Sequence, residues 1–223
     1  MNILVGCEES QAVTIELRKQ GHEAYSCDIK NCSGDHPEWH LQMDVFDAIA
    51  LKDWDMGIFF PDCTYLTCSA EWAYSDPNYD KYPSVGYHQR IKPGTLVGKE
   101  RRDARKKAVQ FVKGLWNCGI DKISLENPVG VLSRWKKPSQ KIHPYQFGDD
   151  ASKKTCLWLI GLPVLVPTTK LPGRIVEHNG KMTERWGNQT DSGQNKLTPS
   201  DNRSELRSKT YPGIAKAMAD QWT

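Results

Sequence analysis

Met56-Gly57-Ile58-Phe59-Phe60-Pro61-Asp62-Cys63 is the stretch on which the reading of this chain turns. Its unbroken apolar run is what a strand buried on both faces carries, as in a parallel sheet covered by helices. Pro61-Asp62 stops the strand, and Cys63 heads an aromatic-rich loop, Thr64-Tyr65-Leu66. A second short strand, Lys122-Ile123-Ser124-Leu125, ends in Glu126-Asn127-Pro128. A thiol and a carboxylate thus leave neighbouring strand ends, where open α/β sheets place their ligands. Together they suit covalent chemistry on a ring that must also be protonated.

Working outward, the pattern alternates. Ile3-Leu4-Val5 predicts a strand, and the spacing of Ala12, Val13, Ile15 and Leu17 predicts a helix from about Ser10, its N-cap, to Gln20, closed by Gly21. Glu23 to Ser26 predicts the next strand. A helix over 96–116 places Ala104, Ala108, Phe111, Val112 and Leu115 on one side, with a basic run from Lys99 to Lys107 as a solvated face paired to Glu100 and Asp103. Cys156 to Ile160 predicts a further strand, Pro163 to Pro167 an extension of it into a hairpin, and Gly187 to Ser204 a mobile loop. Ile214, Ala217, Met218 and Trp222 close the chain at helical spacing. The expected fold class is α/β, a mostly parallel central sheet with helices on both faces, in one domain over 1–223.

Composition narrows the setting. The 223 residues suffice for one sizeable core, and no segment approaches the roughly 18 apolar residues that span a bilayer. No signal-peptide pattern opens the chain, so a cytoplasmic protein of a bacterial or phage-infected cell is expected, with no membrane partner. Seven cysteines, an odd number, fit reduced thiols better than a disulfide framework. A net charge of +3 permits a polyanionic partner without requiring one.

Two acids stand after short extended stretches, Asp28 and Asp44. A carboxylate at the end of the second strand of a doubly wound sheet is placed to accept from ribose hydroxyls, although turn or cap roles suit both residues equally. The first turn, Gly6-Cys7-Glu8-Glu9-Ser10, has one glycine and two acids. Two carboxylates repel a pyrophosphate, so a nucleoside cofactor with a cationic centre is expected rather than a dinucleotide. Cys27, Cys32, His36 and His40 have the composition of a tetrahedral zinc set. Asp28 lies inside that set and Cys27 at a strand end, so no metal is expected there. Cys68 is close enough to Cys63 to rival it as nucleophile.

In this order, the stretches resemble the S-adenosylmethionine-dependent DNA cytosine-5 methyltransferases, particularly the short versions encoded by phages. Val5-Gly6-Cys7-Glu8 stands at the family's cofactor turn, Asp28 at its ribose acid and Asp44 at the acid that reads the adenine amino group. Phe60-Pro61-Asp62-Cys63 is similar to its Pro-Pro-Cys nucleophile motif, with Asp62 in place of the second proline. Glu126-Asn127-Pro128 matches the motif that grips the target base. Ser152-Lys153-Lys154-Thr155-Cys156 stands for the Gln-x-Arg-x-Arg run with lysines instead of arginines. Thr210-Tyr211-Pro212-Gly213-Ile214-Ala215 resembles the segment that closes the cofactor pocket.

The resemblance implies a Rossmann-like methyltransferase with a long catalytic loop over 64–95 and a reduced target-recognition insertion over 171–209. Methyl transfer from S-adenosylmethionine to carbon 5 of cytosine would run through a covalent Cys63 adduct, with Glu126, Asn127 and Lys154 as further catalytic residues. Gly6, Cys7, Glu8, Asp28, Ile29, Asp44, Val45, Phe60, Pro61, Thr210 and Gly213 are implied for the cofactor. The implied partner is double-stranded DNA with the target base flipped out, held by Tyr65, Arg90, Lys92 and Lys153. Aromatics interleaved with bases, Trp72, Tyr74, Tyr79, Tyr82 and Tyr87 with His88, suit closure over such a base, or packing beneath a surface loop. The same chemistry on a free cytidine nucleotide or RNA, and an inactive nucleic-acid-binding protein on a methyltransferase scaffold, are the alternatives.

Overall fold

In the computed structural model, which describes residues 1–76, 94–197 and 208–223, seven strands form one sheet. They are β1 (Asn2–Gly6), β2 (Glu23–Asp28), β3 (His40–Gln42), β4 (Met56–Phe59), β5 (Ile123–Pro128), β6 (Gln140–Ile142) and β7 (Thr155–Ile160). Their order is β3-β2-β1-β4-β5-β7-β6. The first five run parallel, and β7 is antiparallel to both β5 and β6. The chain steps outward from β1 through β2 to β3, then returns to the other side of β1 as β4. The order therefore reverses between β1 and β4, and a crevice opens beyond their carboxyl ends.

Alternation along the strands divides the core in two. Ile3, Val5, Met56, Ile58 and Leu157 face helices α1 (Ala12–Lys19) and, at the end of the chain, α5 (Pro212–Trp222). Leu4, Phe59, Ile123, Leu125 and Trp158 face α2 (Val45–Ala50) and α3 (Gly98–Trp116). A one-turn helix α4 (Leu132–Trp135) follows β5. The class is thus α/β with helices on both faces of a mostly parallel sheet. Among the described residues no helix is long and apolar enough to cross a membrane.

Two helix starts are built differently from the sequence expectation. Ser10 does not cap α1; Gln11 holds the N-cap position in a left-handed conformation (φ 58°) without a side-chain cap. Glu8 caps it instead, accepting from the Val13 N–H at 2.6 Å, the Thr14 N–H at 3.3 Å and the Thr14 hydroxyl at 2.7 Å. Burial outweighs these donors and pushes the Glu8 carboxyl up to about 7. At α5, Asp149 accepts from the Gly213 N–H at 3.0 Å. A Cβ on Gly213 would lie 1.9 Å from the Phe147 carbonyl oxygen. The glycine that the resemblance assigns to the cofactor is therefore required by packing, and its N–H serves the helix cap.

The 171–209 segment holds a hairpin that the sequence reading missed, β8 (Arg174–His178) and β9 (Lys181–Arg185), forming its own two-stranded sheet. Asn179 and Gly180 both have positive φ, the signature of a two-residue hairpin turn. Ile175, Glu177, Met182 and Glu184 share its exposed outward face. Through residue 197 the segment after Gly187 is tied down rather than loose. Asn188 exchanges two hydrogen bonds with the Ser152 backbone, and Trp186 stacks on Tyr145 with ring centroids 4.0 Å apart. No strand forms at 163–167; the Gln140 and Gln221 side chains bracket Leu165 and Val166 there.

Two outcomes follow. Gly213→Ala should destabilise the fold by about 1–3 kcal/mol, because backbone rather than a flexible side chain meets the new methyl group, as urea unfolding would measure. Glu8 has a folded pKa raised above the unfolded value, so its stabilising contribution is complete below about 4.5 and is lost as pH rises through about 7. Thermal melts on either side of that window should show this decline in the wild type and a flatter profile in Glu8→Gln.

Candidate active site

The end of β1 is a close-packed turn. A Cβ on Gly6 would meet the Phe59 ring at 2.6 Å and a Val45 methyl at 2.7 Å, so only glycine lets β4 and α2 approach. The Phe60 N–H donates to the Gly6 carbonyl at 3.0 Å and the Glu8 N–H to that of Cys27 at 3.1 Å. Between them Cys7 turns the chain with φ 59°, a conformation that favours glycine. Its thiol is pushed far up, first by burial and then by Asp28, Cys27, Asp44 and Asp62. Carboxylates at the end of β2 and after β3 and β4 thus act on the turn after β1.

These acids differ in their commitments. Asp28 accepts from the Lys30 N–H at 3.0 Å, and Asp44 caps α2 through the Phe46 N–H at 2.8 Å while staying exposed. Ile29, beside Asp28, is 74% exposed. Val45 is buried against Gly6, and Glu8 is turned into α1, so neither presents its side chain to a ligand. Thr210 is half-buried just before α5.

Cys63 begins a tight turn, its carbonyl accepting from the N–H groups of Leu66 at 3.0 Å and Thr67 at 3.2 Å. Asp62 accepts from the Thr64 N–H at 2.9 Å and hydroxyl at 2.7 Å, so a side-chain turn replaces the rigidity of a second proline. The buried Asn127 side chain donates from Nδ2 to the Pro61 carbonyl at 2.9 Å, joining the end of β5 to the end of β4. Asn127 therefore positions Cys63 relative to Glu126. Farther along, Gly130 lies against the Leu66 carbonyl, which a Cβ would approach to 2.0 Å.

The electrostatics join three residues. Burial raises the Cys63 thiol, Asp62 and Glu126 raise it further, and Lys153 opposes them. Burial likewise raises the Glu126 carboxyl, against Lys153 and a hydrogen bond from Thr155. Lys154, implied as catalytic, is exposed and its charge acts on His143 and Cys156 instead. Glu126 pairs with Leu157 of β7, and both lysines lie in the segment that enters that strand. The cation beside the thiol is Lys153, which the resemblance had assigned to nucleic acid.

The basic face of α3 is not simply solvated. Lys99 and Lys106 do pair with Asp103. Arg105, however, donates to the carbonyls of Tyr65 and Thr67 at 2.8 and 3.0 Å, and Arg102 to that of Tyr74 at 2.7 Å. Arg101 is buried, its guanidinium 5.4 Å from the Tyr65 ring centroid and 4.8 Å from that of Tyr74. Tyr65 thus faces an arginine, and its carbonyl also accepts from the Tyr74 hydroxyl at 3.1 Å. Arginine rather than lysine at 101, 102 and 105 was the available signal, since several carbonyls need a forked donor. Arg90 and Lys92, with Tyr79, Tyr82, Tyr87 and His88, lie outside the described residues.

The four soft ligands between Cys27 and His40 do not converge. The Cys27 thiol, pushed up to about 12 by burial and Asp28, points to the Met43 carbonyl, and His36 stacks on Trp39. His40 bridges the Ser26 hydroxyl and the Lys30 carbonyl, both at 2.8 Å. Among the described residues no group of three or more His, Cys, Asp and Glu side chains is arranged to hold a metal.

No family model matches the chain, and no curated protein does. Its chemistry has therefore to be argued from the site itself. A thiol, a carboxyl whose pKa burial raises and the charge of Lys153 act on one another at one strand end, and an acid-lined turn lies beside them. The arrangement suits a nucleophile that ionises while its neighbour holds a proton. Replacing Lys153 by Met should move the pH midpoint of Cys63 alkylation upward, because a charge that favours the thiolate is lost. Lys154→Met should leave it in place, with the alkylated cysteine mapped by mass spectrometry.

Proposed function

We propose that this protein is a Rossmann-like methyltransferase that moves a methyl group from S-adenosylmethionine to carbon 5 of cytosine in DNA. The observation that carries the proposal is the meeting of Cys63, Glu126 and Lys153 at adjacent ends of β4 and β5, beside the acids at the end of β2 and after β3. The residues present fit the cofactor. Asp28 and Asp44 are of the type that accepts from ribose and adenine, the exposed Ile29 offers an apolar contact, and carboxylates around Cys7 favour a cationic centre. When bound, the cofactor supplies an electrophilic methyl group.

The chain's own residues supply the rest. Carbon 5 of cytosine is a poor nucleophile until a group adds at carbon 6. The Cys63 thiolate forms that sulfur–carbon bond, and the displaced electron pair is drawn toward ring nitrogen 3, where protonated Glu126 donates a hydrogen bond. A proton on Glu126 also removes the carboxylate charge that opposes ionisation of Cys63, so the ionisations of the two groups are coupled. Lys153 offsets the remaining cost. After methylation, a base takes the proton from carbon 5, Cys63 leaves carbon 6, and the ring double bond and thiolate are restored.

A second reading keeps this chemistry and changes the acceptor to a cytidine nucleotide. The outward face of the β8–β9 hairpin favours it, since Glu177 and Glu184 beside Ile175 and Met182 do not attract phosphate. Incubation with labelled S-adenosylmethionine and either duplex DNA, RNA or cytidine nucleotides, followed by nucleoside analysis, distinguishes the acceptors. Cys63→Ser should reduce transfer about 10³-fold or more while leaving the fold and cofactor affinity intact. DNA bearing 5-fluorocytosine should trap wild type and Cys68→Ser alike as an adduct at Cys63. Full activity in Cys63→Ser, or an adduct on another cysteine, would refute the assignment.

A further inference from the structure

Arg105 holds from α3 the turn that Cys63 opens, Arg102 holds the Tyr74 carbonyl farther along the chain, and both arginines turn further donor contacts toward exposed carboxylates. Arg102 places Nη2 3.0 Å from both oxygens of Asp76. Arg105 reaches Glu71 with Nη1 at 3.3 Å and Nη2 at 2.9 Å. Asp76 and Glu71 keep 67% and 46% of their side-chain surface, whereas Arg105 keeps 16%. Arg105 is fixed by the carbonyls of Tyr65 and Thr67 and lies 3.3 Å from the Tyr74 ring centroid. A guanidinium held this way recognises a two-oxygen anion with little further loss of side-chain freedom.

Carboxylate and phosphate present the same paired oxygens to an arginine fork, but they hold it with different strength. An exposed ion pair is worth about 0–1 kcal/mol, and salt weakens it. A nucleic-acid strand adds release of its condensed counterions, which an internal carboxylate cannot match. Position favours the exchange as well. The carbonyls that Arg105 binds belong to the turn whose Leu66 and Thr67 N–H groups bond the Cys63 carbonyl, so Arg105 is tied to the segment that carries the proposed nucleophile.

We propose that Arg102 and Arg105 bind phosphodiesters of the strand that carries the target base, and that Asp76 and Glu71 occupy the pair until that strand displaces them. The inference rests on the nucleic-acid form of the proposed function. It makes the carboxylates competitive internal ligands, so their removal strengthens substrate binding.

Fluorescence anisotropy with labelled single-stranded and duplex DNA, titrated with salt, tests it. Glu71→Gln combined with Asp76→Asn should bind roughly threefold or more tighter than wild type at low salt. Asp191→Asn combined with Asp220→Asn, the same charge change elsewhere, should have a smaller effect. Arg102→Gln should bind more weakly with a salt slope reduced by about one, and Arg102→Lys, which keeps the charge but not the fork, should also weaken binding. Equal or weaker binding by the folded Glu71/Asp76 variant, or an equal gain in the control, would overturn the proposal. Should that variant not fold, wild-type affinity in both Arg102 variants would overturn it. If no form binds nucleic acid while cytidine nucleotide is still methylated, the DNA acceptor falls too; if wild-type binding is intact but no variant shifts, only the arginine pair falls.

Discussion

A single hydrogen bond, from the Asn127 amide to the Pro61 carbonyl, sets the geometry on which the candidate chemistry depends. Strand pairing aligns β4 with β5 through Phe59 and Leu125, where β4 ends while β5 continues against β7 to Pro128. Beyond that point the segment after β4 would be free to carry Cys63 away from Glu126. The bond extends the pairing by one side chain, inside the protein, where an unmatched amide is costly. On one side of it stands Cys63, and on the other Glu126.

That constraint gives meaning to the charges. Cys63 is handicapped by burial and by two neighbouring carboxylates, which is unfavourable for a nucleophile considered alone. Considered with Glu126, the handicap is conditional, because a proton on the carboxyl removes part of it. Lys153 then acts on both partners in the same sense, favouring the ionised form of each. The site is best described as a thiol and a carboxyl whose ionisations are coupled, with one ammonium favouring the charged form of both.

Much of this was legible in the sequence for identifiable reasons. Continuous apolar runs fixed β1, β4, β5 and β7, because a strand buried on both faces has few residue types open to it. Cys63 and Glu126 were found because they directly follow such runs. What escaped depends on tertiary contact. Glu8 looked like a ligand acid, but the turn at Cys7 folds its carboxylate into the start of α1. Lys154 was preferred to Lys153 from motif position, whereas the charge that acts on the thiol is that of Lys153. The arginines of α3 looked like solvated charge, since the choice of arginine over lysine was the one local mark of guanidinium groups that bind carbonyls some thirty to forty residues away. The β8–β9 hairpin was readable, through Asn179-Gly180, and was overlooked.

That hairpin stands apart from the seven-stranded sheet, sharing no backbone ladder with it. A two-stranded ribbon alone is marginal in water. Its support comes from one end, where Trp186 lies on Tyr145 and Arg174 holds the following turn through Trp186, Gln189 and Asp191. The structural demand is therefore concentrated at its base, and the tip and outward face are free to vary in length and chemistry without disturbing the seven-stranded framework. Such a division lets selection change what the hairpin contacts while the sheet stays fixed, and it marks 175–184 as the place where relatives of this chain should diverge fastest.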